Sequence, residues 1–174
     1  MAGLGSIPDE KKWRIAAEFA ATLPALYDHG FRETVGKQYD AIEQGVWMEV
    51  SKILFAIARD LSLPTGTAQE LADTLRTVMT ILFGPDFKSE MLELSEDGAV
   101  LIVRRCPFLE KSYFTGMDGS HTFPKCMAFA LSGVPFVNKE FSSRFVRTMC
   151  AGDRQCEITI RKNEQNPADG VPEK

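Results

Sequence analysis

The sequence predicts an α+β fold in which N-terminal helices pack on a four-stranded antiparallel sheet. Three observations lead there. Apolar residues recur at helical spacing up to residue 83, the pattern turns to alternation after Pro85, and Asp97-Gly98 sits between two alternating runs as a hairpin turn does.

Ser6-Ile7-Pro8-Asp9 places a serine three residues before an acid, which predicts a capped helix start. Trp13, Ala16, Ala17, Ala20 and Leu23 then form one stripe, Pro24 is expected to end or kink the helix, and Asp28-His29-Gly30 reads as a stop. A second helix is expected from near Arg32. Its buried face is Val46, Trp47, Val50, Ile53, Leu54, Ile57, Ala58 and Leu61, closed by Leu63-Pro64-Thr65-Gly66. Thr67 and Glu70 have capping-box spacing and open a third helix with the stripe Leu71, Leu75, Val78, Met79 and Leu82, ended by Gly84-Pro85. Runs 87–94 and 99–105 form the first hairpin. A further helix is expected to open near Pro124 and break around Gly133 to Pro135. Runs 141–149 and 156–161 read as the last two strands, joined by Ala151-Gly152-Asp153-Arg154-Gln155. Residues 6–162 are expected to form a single domain, and the polar, proline-containing stretch 163–174 a disordered tail.

With 174 residues the chain can bury roughly 70% of its unfolded surface, so it needs no staple to build a core. Its net charge of −4, with both signs interspersed, argues against nucleic acid as a partner, because phosphate binding needs a positive face. No apolar run approaches the roughly 18 residues of a membrane span, and residues 1–12 lack a secretory signal pattern, which together predict a cytoplasmic protein. In a reducing compartment, cysteines favour metal or redox roles over disulfides.

All four cysteines, Cys106, Cys126, Cys150 and Cys156, follow residue 105. Each lies at a predicted boundary: a strand end, the first turn of a helix, and both flanks of the last hairpin turn. Such ends can converge, and a tetrahedral zinc site takes four thiolates. Their separations of 20, 24 and 6 residues contain no Cys-x-x-Cys pair and match no common zinc or ferredoxin string. Iron or an iron–sulfur cluster is the alternative occupant, buried structural thiols a further one, and His121 a substitute ligand.

Arg105-Cys106-Pro107-Phe108 after a hairpin, Pro124-Lys125-Cys126 at a helix opening, and the terminal run from Cys150 through Cys156-Glu-Ile-Thr-Ile together carry a resemblance. The chain resembles small prokaryotic proteins related to the vinyl-reductase (4-vinyl reductase) domain and to L-2-amino-thiazoline-4-carboxylate hydrolase-like proteins. The resemblance spans roughly residues 30–162. It implies a sensor or small-molecule-binding fold like that of the TRAPP vesicle-tethering subunits, often dimeric, with zinc on the matching cysteines. Cys126, Cys150 and Cys156 match best, and Cys106 takes the fourth place. Unlike the sensory regulators of that group, the sequence shows no ATPase or DNA-binding module.

Three functions follow as expectations. The first is a metal-stabilised domain that binds a small hydrophobic or heterocyclic ligand in an apolar pocket lined by some of Trp47, Phe55, Phe83, Phe87, Phe129 and Phe136, and that forms a homodimer. Twelve phenylalanines allow such a pocket, although aromatics at helical spacing usually fill cores. The second, implied by resemblance, is a hydrolase of a small cyclic amide-like substrate. Zinc could activate water only with an open coordination position, and no Gly-x-Ser-x-Gly or His-Glu-x-x-His pattern is present. Asp28, Glu43 and Glu49 read as solvated helix faces. The third is an iron–sulfur or redox protein.

Overall fold

Helix α1 (Asp9–Val35) passes straight through both expected stops. Pro24 removes one helical hydrogen bond, but Ala20, whose carbonyl loses that partner, is exposed and solvated. Asp28 is no stop because it is buried against cations of this and another helix. The helix ends at Gly36, which adopts φ 67, a conformation glycine tolerates without a Cβ penalty. Its start differs as well: Ser6 belongs to a short 3-10 turn, and Pro8 takes the cap position with no side-chain cap bond.

The computed structural model describes residues 3–95 and 97–163. Helix α2 (Gln38–Asp60) begins later than expected, and α3 (Ala68–Phe83) opens on the capping box foreseen at Thr67 and Glu70. Strands β1 (Lys88–Ser95) and β2 (Gly98–Arg105) form the first hairpin. Helix α4 (Pro107–Phe114) follows, then α5 (Gly119–Val137), β3 (Phe141–Arg147) and β4 (Cys156–Lys162). The sheet is antiparallel with order β1-β2-β4-β3. This is the α+β architecture expected, with one helix more: α4 has eight residues, too few to show a period, and Pro107 starts it at N1.

The buried faces are narrower than the periodicity implied. On α1 the inward stripe is Ala17, Ala21, Ala25 and Asp28, while Ala16 and Ala20 are exposed. Ala17 lies so near Gly84 that a Cβ added there would stand 2.5 Å from the alanine Cβ. Small residues are therefore what this contact requires. On α2, Tyr39, Glu43, Ser51, Leu54 and Ala58 are buried, whereas Val46, Ile53 and Leu61 face outward.

Helix α5 starts at Gly119, capped by Asp118 accepting the Ser120 N–H at 2.8 Å, and it continues past Gly133 and Pro135. Gly133 acts in packing rather than as a breaker, since a Cβ there would lie 2.3 Å from Leu54 Cδ1 of α2. The sheet's inner face supplies Ala99, Leu101, Val103, Phe141, Ile158 and Ile160 to the core shared with α3 and α5. Its outer face leaves Leu92, Arg144 and Arg161 exposed. The expected tail lies outside the described residues except for Asn163, whose N–H donates to the Glu140 carbonyl at 2.7 Å. No helix among the described residues is long and apolar enough to cross a membrane.

Candidate functional site

Register brings the first two sulfurs together. Val103 of β2 pairs with Cys156 of β4, so Cys106, just past the end of β2, emerges at the end of the sheet where β4 begins. Cys106 is the N-cap residue of α4, with no side-chain cap bond, and its sulfur faces the first backbone N–H groups of that helix only loosely. Cys156 accepts the Met149 N–H at 3.3 Å and lies 3.9 Å from Thr148 Oγ1.

Cys150 sits in the 3-10 turn Met149–Ala151 between β3 and β4. Thr148 accepts its N–H at 3.2 Å, the Asp153 carboxylate accepts the Thr148 N–H at 2.8 Å, and Gly152 closes the turn with φ 98. This turn presses directly on the start of α5. A Cβ on Gly119 would lie 2.3 Å from the Cys150 carbonyl oxygen and 2.7 Å from its Cα, so only glycine permits the approach. Cys126 lies seven residues farther along α5, on the same helical face, in the second turn and not the first.

All four cysteines line one apolar cavity of about 50 Å³ between α5, α4 and the sheet. Trp47, Phe83, Phe87, Phe108 and Phe129 form its aromatic wall, with Met79, Leu109 and Phe145 beside them. The rings interlock edge to face: Trp47 to Phe108 at 5.2 Å, Trp47 to Phe129 at 5.9 Å and Phe83 to Phe108 at 4.7 Å between centroids. Of the expected lining residues, Trp47, Phe83, Phe87 and Phe129 are here. Phe55 and Phe136 lie elsewhere, both exposed, each with a cation over its ring, Arg59 and Lys52 respectively. His121 is also elsewhere, in an open groove with His29, Arg32 and Asp118, its Nδ1 3.0 Å from the Asp118 carboxylate.

The four thiols differ electrostatically. Burial pushes Cys106 up to about 12 and also raises Cys156. The neighbouring Cys150 thiol, with burial, holds Cys126 well above the ordinary thiol range, and the neighbouring Cys126 draws Cys150 down to about 7, helped by Thr148 and the Cys150 N–H.

Among the described residues, Lys125 is the only other titratable one lining the cavity, and the sequence marks it only as part of Pro124-Lys125-Cys126, with no role of its own. It is 2% exposed, with Nζ 2.7 Å from Asp28 Oδ2 and 2.9 Å from Glu43 Oε1. Arg32 adds bonds to Asp28 at 2.9 Å and Asp40 at 2.7 Å. Asp28 and Glu43 are thus buried, contrary to the solvated faces expected, and only Glu49 is exposed, paired with Lys52. Burial raises Glu43 although Lys125 opposes the shift. An acid and a lysine that neutralise each other in the interior look like ordinary surface charges in one dimension, so periodicity carried no signal for this cluster.

A set of four sulfurs suits a soft ion such as zinc or iron. As the side chains stand, no three His, Cys, Asp or Glu residues among those described are placed to hold a metal ion, so the thiols would have to re-orient to grip one. Among the described residues, the cavity walls carry no carboxylate and no imidazole.

No family model and no curated protein matches this chain. Solved structures do. The chain is similar to a trafficking protein particle complex subunit 3 from Naegleria fowleri covalently bound to palmitic acid, with TM-score 0.57 and 12% identity over 84% of this chain and 97% of that one. It is also similar to the phenol-responsive sensory domain of the transcription activator PoxR with phenol, with TM-score 0.57 and 9% identity over 82% of this chain and 74% of that one. At such identities the likeness shows a shared small α+β fold. The fold expected from the resemblance, like that of a TRAPP subunit, agrees with the first of these neighbours.

Proposed function

We propose that this chain is a small-molecule-binding or sensor domain whose four-cysteine wall holds one zinc ion. The observation that carries the reading is the meeting of four thiols, from the β2–α4 junction, α5 and the β3–β4 connection, in a single apolar cavity. Zinc held by Cys106, Cys126, Cys150 and Cys156 would tie those three segments together, and a closed four-thiolate site supplies stability rather than an activated water. The aromatic wall is the proposed ligand surface.

The fold neighbours support an apolar ligand, since one was solved with phenol and the other with palmitic acid. The cavity of about 50 Å³ is below the roughly 150 Å³ that accommodates benzene in an engineered core, so a ring-sized guest must displace Phe83, Phe108 or Trp47. A long acyl chain fits less well than a single ring. The proposed location is the cytoplasm, where thiols stay reduced.

A second copy of the chain is the proposed partner. Ile15, Phe19 and Leu26 on α1, with Ile42, Val46 and Ile53 on α2, expose apolar rows that a monomer has no use for. Sedimentation of the wild type and a Phe19→Asp variant tests this: a dimer converted to monomer supports it, and a wild-type monomer at all concentrations refutes it.

The decisive experiment measures metal content on protein purified without oxygen or chelator, beside a Cys150→Ser/Cys156→Ser variant, followed by thermal shifts with phenols and small heterocycles. One colourless zinc per chain, lost in the variant, supports the site. Brown protein containing iron replaces zinc with redox chemistry, and absence of any metal removes the metal from the proposal. A panel without a single thermal shift counts against the pocket.

A further inference from the structure

The outer face of the sheet carries a cluster that the thiol cavity does not use. Ser142 of β3 pairs with Arg161 of β4, and Arg144 pairs with Thr159. Partners directly opposite share a face, so these four residues form a square with the arginines on one diagonal and the hydroxyls on the other. Their neighbours set which way it points. Ser143 turns inward and donates to the Ala130 carbonyl of α5 at 3.0 Å, and Ile160 opposite it is buried. Arg144 and Arg161 are therefore exposed, on a groove of about 280 Å³ that Ser142, Val146 and Thr159 also line.

The charge of this groove is unbalanced. On the same sheet Arg104 holds Glu90, and Arg147 holds Glu157 at 3.0 Å. Among the described residues, Arg144 and Arg161 hold no carboxylate, and no acid lines the groove. Like charges this close on one sheet face repel. Thr159 donates its hydroxyl proton to the Arg144 carbonyl at 3.1 Å, which leaves Ser142 as the hydroxyl able to donate into the groove.

We propose that Ser142, Arg144 and Arg161 form a binding site for a phosphate monoester. Guanidinium groups donate hydrogen bonds and cannot accept them, so the occupant must be rich in acceptors. A phosphate monoester brings three terminal oxygens and a charge of about −1.5 to −2 near pH 7, which matches two uncompensated cations. A carboxylate neutralises one arginine and leaves the other. Because β3 is an edge strand, the groove is open on one side and the organic part of the ester extends past the sheet. The thiol cavity lies under the opposite face, against Phe145 and Ile158, so this site needs neither the zinc nor the apolar ligand.

The test follows backbone amide signals of the full chain by NMR during titration with inorganic phosphate, glycerol 3-phosphate or acetate at constant ionic strength. Saturating shifts confined to residues 142–146 and 159–161 are expected for both phosphates, with acetate weaker by about tenfold. Arg144→Gln and Arg161→Gln, checked for folding by their thermal melts, should each weaken phosphate binding by about tenfold or more, the effect of losing a charged hydrogen bond. Arg154→Gln removes an exposed arginine outside the groove and should leave binding unchanged. Flotation with phosphatidylcholine vesicles, with and without phosphatidic acid, separates the sources of the ester. Glycerol 3-phosphate binding without flotation assigns the site to soluble esters. Flotation that needs phosphatidic acid and is lost in Arg144→Gln assigns it to a lipid headgroup. Acetate binding as tightly as phosphate, equal weakening by all three variants, shifts centred elsewhere, or no saturable binding of any probe would overturn the proposal.

Discussion

Lys125 places its ammonium 2.7 Å from the Asp28 carboxylate, a residue 97 positions earlier in the chain, with Glu43 2.9 Å away on the other side. Three helices, α1, α2 and α5, are joined at that point, and the lysine stem forms part of the cavity wall.

Lys125→Met would leave two buried acids with only the partly exposed Arg32. Breaking a buried pair from one side costs about 3–5 kcal/mol, and we expect a loss of that order in urea unfolding at neutral pH. Glu43 is already raised by burial, and losing Lys125 raises it further. A group whose folded value exceeds its unfolded one contributes stability at low pH that disappears as pH climbs through the folded value. The Lys125→Met deficit should therefore shrink toward acid, and adding Glu43→Gln should recover part of it at pH 7. A deficit independent of pH would refute the account.

Gly119→Ala sets a Cβ 2.3 Å from a backbone oxygen that cannot move without moving the turn. Overpacking of this kind costs about 1–3 kcal/mol. Gly45→Ala in α2 meets nothing within 4 Å, so it should stabilise by about 0.5–1 kcal/mol through helix propensity. Paired thermal melts check both signs.

Cys150 is drawn down to about 7 by the neighbouring Cys126 thiol, while burial holds Cys106 up at about 12. The thiolate is the reactive form, so iodoacetamide labelling of Cys150 in metal-free protein should rise with pH through about 7 and level off above it. Cys106 should stay unlabelled across that range. Cys126→Ala removes that neighbour and should move the Cys150 midpoint upward, and an unmoved midpoint would contradict its influence on Cys150.

Phe108 is buried between the rings of Trp47 and Phe83. Phe108→Ala should cost about 3–5 kcal/mol and leave a void continuous with the thiol-lined cavity. Phenol should then raise the melting temperature of the variant more than that of the wild type. Equal shifts in both proteins would place phenol somewhere other than this cavity.

Several elements were legible because their causes are local. The capping box at Thr67 and Glu70 acts over three residues, the Asp97-Gly98 turn over two, and the apolar stripe of α3 follows from its own period. The placement of the cysteines near element ends could likewise be read along the chain. Other features needed partners from far away. Pro24 breaks nothing because Ala20, whose carbonyl it orphans, lies on the exposed face of the helix, and Gly133 is a contact for Leu54 rather than a stop.

The sequence alone determined the α+β class, the order of the elements apart from the short helix α4, and the presence of four thiols in the C-terminal half. Only the tertiary structure decided which helix faces are buried, that Asp28, Glu43 and Lys125 neutralise one another inside, and that the four cysteines line one cavity, with Cys156 accepting a backbone N–H. The physical reason is range. Period, capping and turn chemistry act between near neighbours, whereas the desolvation of a charge or a thiol depends on what the rest of the chain packs around it.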